Sequence, residues 1–174
     1  MFLAGLLQDI GILALDRAEP NMNAGLPADA TLDETLAYER ARLGEDHAGI
    51  GSWLLRTWNL PEALCQAVAL SHTPERADAS SELGQTCRCI ALSNDVADVF
   101  LVSERRSALE RMTSTARILV GLSPEQISGV VDSITRLMPD VEAIFDAHIL
   151  APDAAAEIAA EAQELLDERS LTSA

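Results

Sequence analysis

The chain has 174 residues, of which 48% are hydrophobic and only 3% aromatic, so Leu, Ala, Ile and Val must fill its core, which favours helices over a sheet sandwich. This length suffices for one domain with a sizeable core and an appendage. All 12 basic residues are arginine, against 28 acidic residues, and the formal charge of −16 disfavours nucleic acid and anionic membranes as partners.

The first predicted element is a helix over Phe2 to Leu15, whose apolar residues recur at steps of three and four. Asp9 interrupts this apolar stripe. A carboxylate among apolar neighbours costs free energy unless it is hydrogen-bonded, coordinates a metal or faces a cleft. Structural capping is commoner at such positions than catalysis or metal binding, and the stretch alone leaves these alternatives open.

A loop over Asp16 to Ala30 follows, rich in Pro, Asn and Gly and long enough to be functional or to cover a cleft beside Asp9. Thr31 and Glu34 have capping-box spacing and predict the start of the next helix. Glu39, in that helix, is expected to face solvent or to cap, as is Glu34.

Asp46 is a predicted N-cap, which places His47 in the first turn of a further helix. Trp53 and Trp58 are expected on the buried face of this helix. Two glycines within it, at positions 49 and 51, predict the close approach of another backbone.

His72 follows Leu64 and Val68 at four-residue steps, so we expect it at the end of an apolar helical face that Pro74 terminates. Ser80 or Ser81 then begins a long helix through Phe100 that carries Asn94 in its middle. These segments extend the all-helical prediction.

Another amphipathic helix is predicted over Ser103 to Val120, and Ser123 with Pro124 marks a clear start for the next one. Pro139 should kink or end that helix and leave Val141 to Phe145 as a separate piece. Together these signals predict an all-α fold.

The last predicted helix opens at Pro152 and Asp153 and is rich in Ala and Glu. It carries a thin seam of apolar residues that could pair with a second chain as a coiled coil or pack on its own domain. The seam residues are Ala151, Ala155, Ile158, Ala162 and Leu165. His148, just before this helix, is expected at a surface or helix end.

The sequence lacks a run of about 18 apolar residues that could span a bilayer, and its N-terminal stretch lacks a basic secretory leader. Cys65, Cys87 and Cys89 have neither disulfide nor zinc spacing, so reduced thiols in a cytoplasmic protein are expected. We expect no membrane partner and no cofactor.

Two segments carry a resemblance to a known family: FLAGLLQDIG near the N-terminus, and GEDHAGIGSWLLRTWNLPEALCQAVALSHTPE at positions 44 to 75. With the helices around them, from Phe2 to about Val102, they resemble the HDOD domain, a bacterial signalling relative of the HD and HD-GYP phosphohydrolases. The resemblance implies an all-helical bundle without catalysis. HDOD domains have further helices before the first segment, so the resemblance also implies that this chain holds the later part of the domain.

The resemblance also assigns the positions of a degenerate HD site. Gln8 stands where the His of the His-Asp pair would be, and Asp9 keeps the Asp. His47 and His72 occupy positions where HD-GYP enzymes carry additional histidines, and Asn94 aligns with the distal Asp. With an amide at both of the altered positions, we expect too few strong ligands for a tightly held metal, so these residues are predicted to bind an organic ligand or to form a structural cluster.

The resemblance implies a non-enzymatic signal-transduction module that binds a partner or a small ligand and relays a conformational change, in a cyclic-di-GMP context if an output domain such as GGDEF accompanies it. The alternative is a residual metal-dependent phosphohydrolase, and a third is a dimerisation domain without a ligand. We expect a homodimer, an HDOD-like domain over residues 1–150 and a C-terminal helix over 151–174 that could link to an output domain.

Overall fold

The computed structural model of the chain describes residues 1–27, 30–102, 104–146 and 154–171. Over these residues the regular structure is helical and contains no strand, which confirms the predicted all-α fold. The helices are α1 (Phe2–Leu7), α2 (Ile10–Ala18), α3 (Leu32–Leu43), α4 (His47–Thr57), α5 (Glu62–Ala69), α6 (Glu82–Leu101), α7 (Arg105–Thr115), α8 (Pro124–Phe145) and α9 (Ala154–Leu171). None of them is long and apolar enough to cross a membrane.

The chain forms two units, Met1–Ala91 and Leu92–Ala174, and α6 runs from the first into the second. The domain boundary predicted from the sequence, after residue 150, differs from this division after Ala91. It falls within residues 147–153, outside the described part of the chain, and stays a prediction. The expectations for Ser103, His148, Ala151, Pro152 and Asp153 also lie outside the described residues.

In the first unit, α2 packs against α4 at a close approach of their backbones. A Cβ atom added to Gly11 would collide with the carbonyl group of His47, and one added to Gly51 would lie 3.2 Å from the backbone nitrogen of Gly11. The predicted backbone approach is therefore confirmed for Gly51. At Gly49 the close neighbour is the side chain of Glu45.

The predicted single helix over Phe2 to Leu15 is wrong, because the chain turns at Gln8 and Asp9 and begins α2 at Ile10. The break restarts the helical period, so one face no longer continues through the stretch. Phe2, in the predicted apolar stripe, is 80% exposed. The buried residues here are Ala4, Gln8, Gly11 and Leu15.

The prediction that Trp53 and Trp58 are buried is also wrong, since their exposed fractions are 62% and 54%. The face of α4 that packs in the unit holds His47 and Leu55. Trp53 lies two residues from Leu55, which is about 200° around the helix axis and therefore on the opposite side. Trp58 follows the last helical residue.

Several helix ends match the sequence signals. Thr31 and Ser123 form complete capping boxes with Glu34 and Gln126, and the hydroxyl of Ser81 accepts a hydrogen bond from the backbone N–H of Gly84. Helix α3 and the segment Ala116–Val120 each end at a glycine of positive φ. The φ angle is 79° at Gly44 and 78° at Gly121.

The second unit has a core of its own, to which α7, α8 and α9 contribute. Ile158, Ala162 and Leu165 of the predicted seam are buried in this core, so α9 packs within its own unit. Pro139 lies inside α8, which continues to Phe145. The separate piece predicted after Pro139 is therefore part of the same helix.

Candidate functional site

Three predicted site residues meet in the first unit. Asp9 lies in the turn between α1 and α2, His47 is the first residue of α4, and His72 lies in the turn after α5. The Nε2 atom of His72 is 3.0 Å from the Nε2 atom of His47 and 3.2 Å from the Oδ1 atom of Asp9. The distance from the Nε2 atom of His47 to the same Asp9 oxygen is 3.7 Å. We call this group the Asp-His-His cluster.

The position of His47 follows from the start of α4. Asp46 is the N-cap of this helix, and its Oδ1 atom accepts a hydrogen bond of 2.9 Å from the backbone N–H of Gly49. The other Asp46 oxygen pairs with Arg40 of α3. With the approach of Gly11 to the His47 carbonyl group, these contacts fix the first turn of α4 beside α2.

His72 was expected at the end of a helical face. Helix α5 ends at Ala69, so His72 instead extends from the turn that follows. Its side chain is only 4% exposed, and its ring packs edge-on against that of His47, with 4.9 Å between the ring centroids. The side chain of Asp9 is 49% exposed, so solvent reaches the cluster at its carboxylate.

Glu39 is the site residue that the sequence did not reveal. It was expected to face solvent or to cap, but it is 1% exposed. Its Oε2 atom accepts a hydrogen bond of 2.8 Å from the backbone N–H of His47 and lies 2.8 Å from the Nδ1 atom of the same residue. The available signal was its position three residues after Leu36, which is buried on the same face of α3.

The contact with Glu39 favours one tautomer of His47. A carboxylate at Nδ1 favours the proton on that nitrogen, so the Nε2 atom of a neutral His47 presents its lone pair to the cluster. A series of close polar contacts runs from buried Glu39 through His47 to His72, whose Nε2 atom faces both His47 and half-exposed Asp9.

The two remaining predicted positions are Gln8 and Asn94. Gln8 is buried in the turn beside Asp9, with 9% of its surface exposed. Asn94 lies in α6 within the second unit, whereas the residues of the Asp-His-His cluster all belong to the first.

A cleft of about 430 Å³ lies beside α2 and is bordered by the loop that follows this helix. Asp16, Met22 and Glu39 are among its lining residues. The loop was expected to cover a cleft beside Asp9, but the residue of the site that lines this cleft is Glu39, which contacts His47 from outside the Asp-His-His cluster. Within the described part of the chain, the Oε1 atom of Glu39 has no hydrogen-bond partner.

Chemically, the cluster offers two imidazole nitrogens and one carboxylate oxygen within reach of a single cation or a single hydrogen-bonding ligand. The buried carboxyl group of Glu39 holds the ring of His47 through its Nδ1 atom. These are groups that bind a cation or a hydrogen-bond donor.

A family model, that of the HDOD domain, matches residues 1–74. The match includes all three residues of the Asp-His-His cluster and also Glu39. No curated protein and no solved structure matches the chain significantly. Residues 1–74 are therefore similar to the HDOD domain family, and the rest of the chain lies outside the match.

Proposed function

We propose that this protein is a non-enzymatic signal-transduction module that binds a small ligand or a partner group at Asp9, His47 and His72. The observation that supports the proposal is the series of close polar contacts from Asp9 through His72 and His47 to Glu39, which joins a half-exposed carboxylate to a buried one. A ligand that contacts Asp9 acts on side chains held between packed helices.

The relay in this proposal begins with α3 and α4. Glu39 extends from α3 and holds both the backbone and the ring of His47, the first residue of α4. A ligand that binds one arrangement of His47 and His72 more tightly than another shifts the equilibrium between these arrangements. The helices that carry them then move, and the change passes to the C-terminal helices.

The output is proposed from family resemblance. HDOD domains often accompany output domains such as GGDEF diguanylate cyclases, so we propose a cytoplasmic role in cyclic-di-GMP signalling, with the output domain in cis. Reading the gene beyond both ends of this sequence tests the proposal. A downstream cyclase supports it, whereas an upstream His on a core-facing helix would favour chemistry at the cluster.

We also propose that the protein forms a homodimer. Phe2, Leu3 and Leu6 of α1 are large, apolar and more than half exposed. Burying such a surface against a second copy removes it from water and stabilises the pair. Light scattering at tens of micromolar chain should give the mass of a dimer, and a strict monomer would contradict a stable pair.

A residual metal-dependent phosphohydrolase is the second candidate, because imidazole and carboxylate ligands converge as they do where metals activate water. Phosphodiesterase assays on generic and cyclic-dinucleotide substrates, with Mn²⁺ or Zn²⁺ added, separate the candidates. We expect equal background rates for wild type, His72→Ala and the control Asp33→Asn, an exposed residue of α3. Turnover that only His72→Ala abolishes would replace the proposed function with the hydrolase.

A further inference from the structure

The spacing of the three cluster atoms matches that of ligands around one metal ion. Zn²⁺ in tetrahedral geometry lies about 2.0–2.2 Å from His nitrogen and carboxylate oxygen, which places its ligand atoms roughly 3.3–3.6 Å from one another. The three distances between the Nε2 atoms of His47 and His72 and the Oδ1 atom of Asp9 are 3.0, 3.2 and 3.7 Å. Two of these distances are slightly shorter, and one is slightly longer, than the spacing around a tetrahedral Zn²⁺ ion.

Hydrogen bonding alone satisfies these three atoms poorly. If His47 carries its proton on Nδ1, toward Glu39, its Nε2 atom is an acceptor, and so is the carboxylate of Asp9. Two acceptors then face the single Nε2 atom of His72, which has at most one proton to donate. A cation at the centre accepts a lone pair from all three atoms at once.

We propose that Asp9, His47 and His72 bind one divalent transition cation, such as Zn²⁺, with Glu39 as the residue that orients His47. This inference rests on the proposed function, because it names the ligand of the same site. The ligand count made from the sequence relied on positions 8 and 94. The geometry supplies three ligands without either of them.

Three further features fit a cation of this class. The carboxylate of Glu39 on the Nδ1 atom of His47 is the carboxylate–histidine arrangement that orients metal-binding imidazoles. Two nitrogens with one oxygen favour a transition metal over Mg²⁺ or Ca²⁺, which prefer oxygen. The half-exposed Asp9 gives an ion a path from solvent. A fourth coordination position, open to solvent or a ligand, would remain.

The test is titration of the full chain, freed of metal by chelation, with Zn²⁺ in a calorimeter and with Co²⁺ in a visible spectrophotometer. We expect one ion per chain and Co²⁺ bands of a low-symmetry nitrogen and oxygen site, without the thiolate charge transfer that binding by cysteine would give. His72→Ala and Asp9→Asn should weaken Zn²⁺ binding by at least about 100-fold, and Glu39→Gln by about 10–100-fold. Asp33→Asn is the matched control and should bind as wild type does.

Circular dichroism establishes that each variant is folded. If a variant does not fold, the Co²⁺ spectrum of the wild type still tests the inference. Absence of stoichiometric uptake by the folded wild type would overturn the inference, and so would uptake that both His72→Ala and Asp9→Asn leave unchanged. In either case, if the chain also shows no phosphodiesterase turnover, the metal site is refuted and the proposed function stands. Metal binding accompanied by His72-dependent turnover would keep the inference and refute the proposed function.

Discussion

At the scale of single residues, the main difference between the sequence and the structure concerns which carboxylate is buried. Asp9 interrupts an apolar pattern and was expected inside it, yet its side chain is 49% exposed because the chain turns there. Glu39, in a helix of mixed polarity, is buried against His47. Family resemblance could identify Asp9, His47 and His72, but the partner of His47 depends on how α3 packs, which no local pattern specifies.

Replacing the two carboxylates should have unequal effects on stability. Glu39→Ala leaves the backbone N–H and the Nδ1 atom of His47 without their buried acceptor, so we expect a loss of about 1–3 kcal/mol in the free energy of unfolding. Asp9→Ala should cost less than about 1 kcal/mol, because water solvates the groups around a half-exposed side chain. Urea unfolding of metal-free protein measures both, and equal losses would contradict this assignment of burial.

At the scale of the helices, ends were easier to predict than faces. Capping boxes at Thr31 and Ser123 use side chains within three residues of one another, so the local sequence holds the whole signal. The buried face of α4 depends instead on its approach to α2, and the pattern that placed Trp53 inside could not include that contact. The glycines of α4 were a partial signal that another backbone approaches this helix, and the position of Gly51 beside α2 confirms it.

The approach of α2 to α4 gives a prediction with an internal control. Gly11→Ala places a methyl group against the carbonyl of His47, so we expect a loss of about 1–3 kcal/mol in unfolding free energy as the helices separate. Gly5→Ala, in α1, meets no atom within 4 Å and should be neutral or stabilising by up to about 1 kcal/mol. Thermal unfolding of both variants tests this, and a tolerated Gly11→Ala would mean that the helices lie further apart.

The capping box at the start of α3 should make that helix sensitive to acid. The backbone N–H of Thr31, and then its hydroxyl, donate to the carboxylate of Glu34 and hold the pKa of this group below its ordinary 4.5. Since the folded pKa is the lower one, the stabilisation is complete above the unfolded pKa and is lost as pH falls through the folded value.

Glu34→Gln keeps the capping geometry but removes the titrating group, so stability should fall less steeply below about pH 4.5 than in wild type. Thr31→Ala should cost about 1 kcal/mol already at neutral pH. Urea unfolding between about pH 3 and 7, a range that includes the titration of carboxylates, measures both variants. Parallel pH curves for wild type and Glu34→Gln would show that Glu34 does not contribute.

At the scale of the whole molecule, helical content and the existence of each long segment could be predicted, because periodicity and caps repeat along the chain. The division into two units could not, since α6 is continuous across it and carries no break in composition. The C-terminal seam also had two interpretations. Burial of Ile158, Ala162 and Leu165 with α7 and α8 selects packing within the unit, and this removes one of the two motives for expecting a dimer.

The claim that joins these scales is that a ligand held by Asp9, His47 and His72 changes the helices around it and, through them, the rest of the chain. Amide hydrogen exchange of the full chain, compared with and without saturating Zn²⁺, tests it most directly. We predict slower exchange in α3 and α4 and a change in at least one helix beyond Ala91, all absent in His72→Ala. Bound Zn²⁺ that alters exchange only at its own ligands would contradict the account.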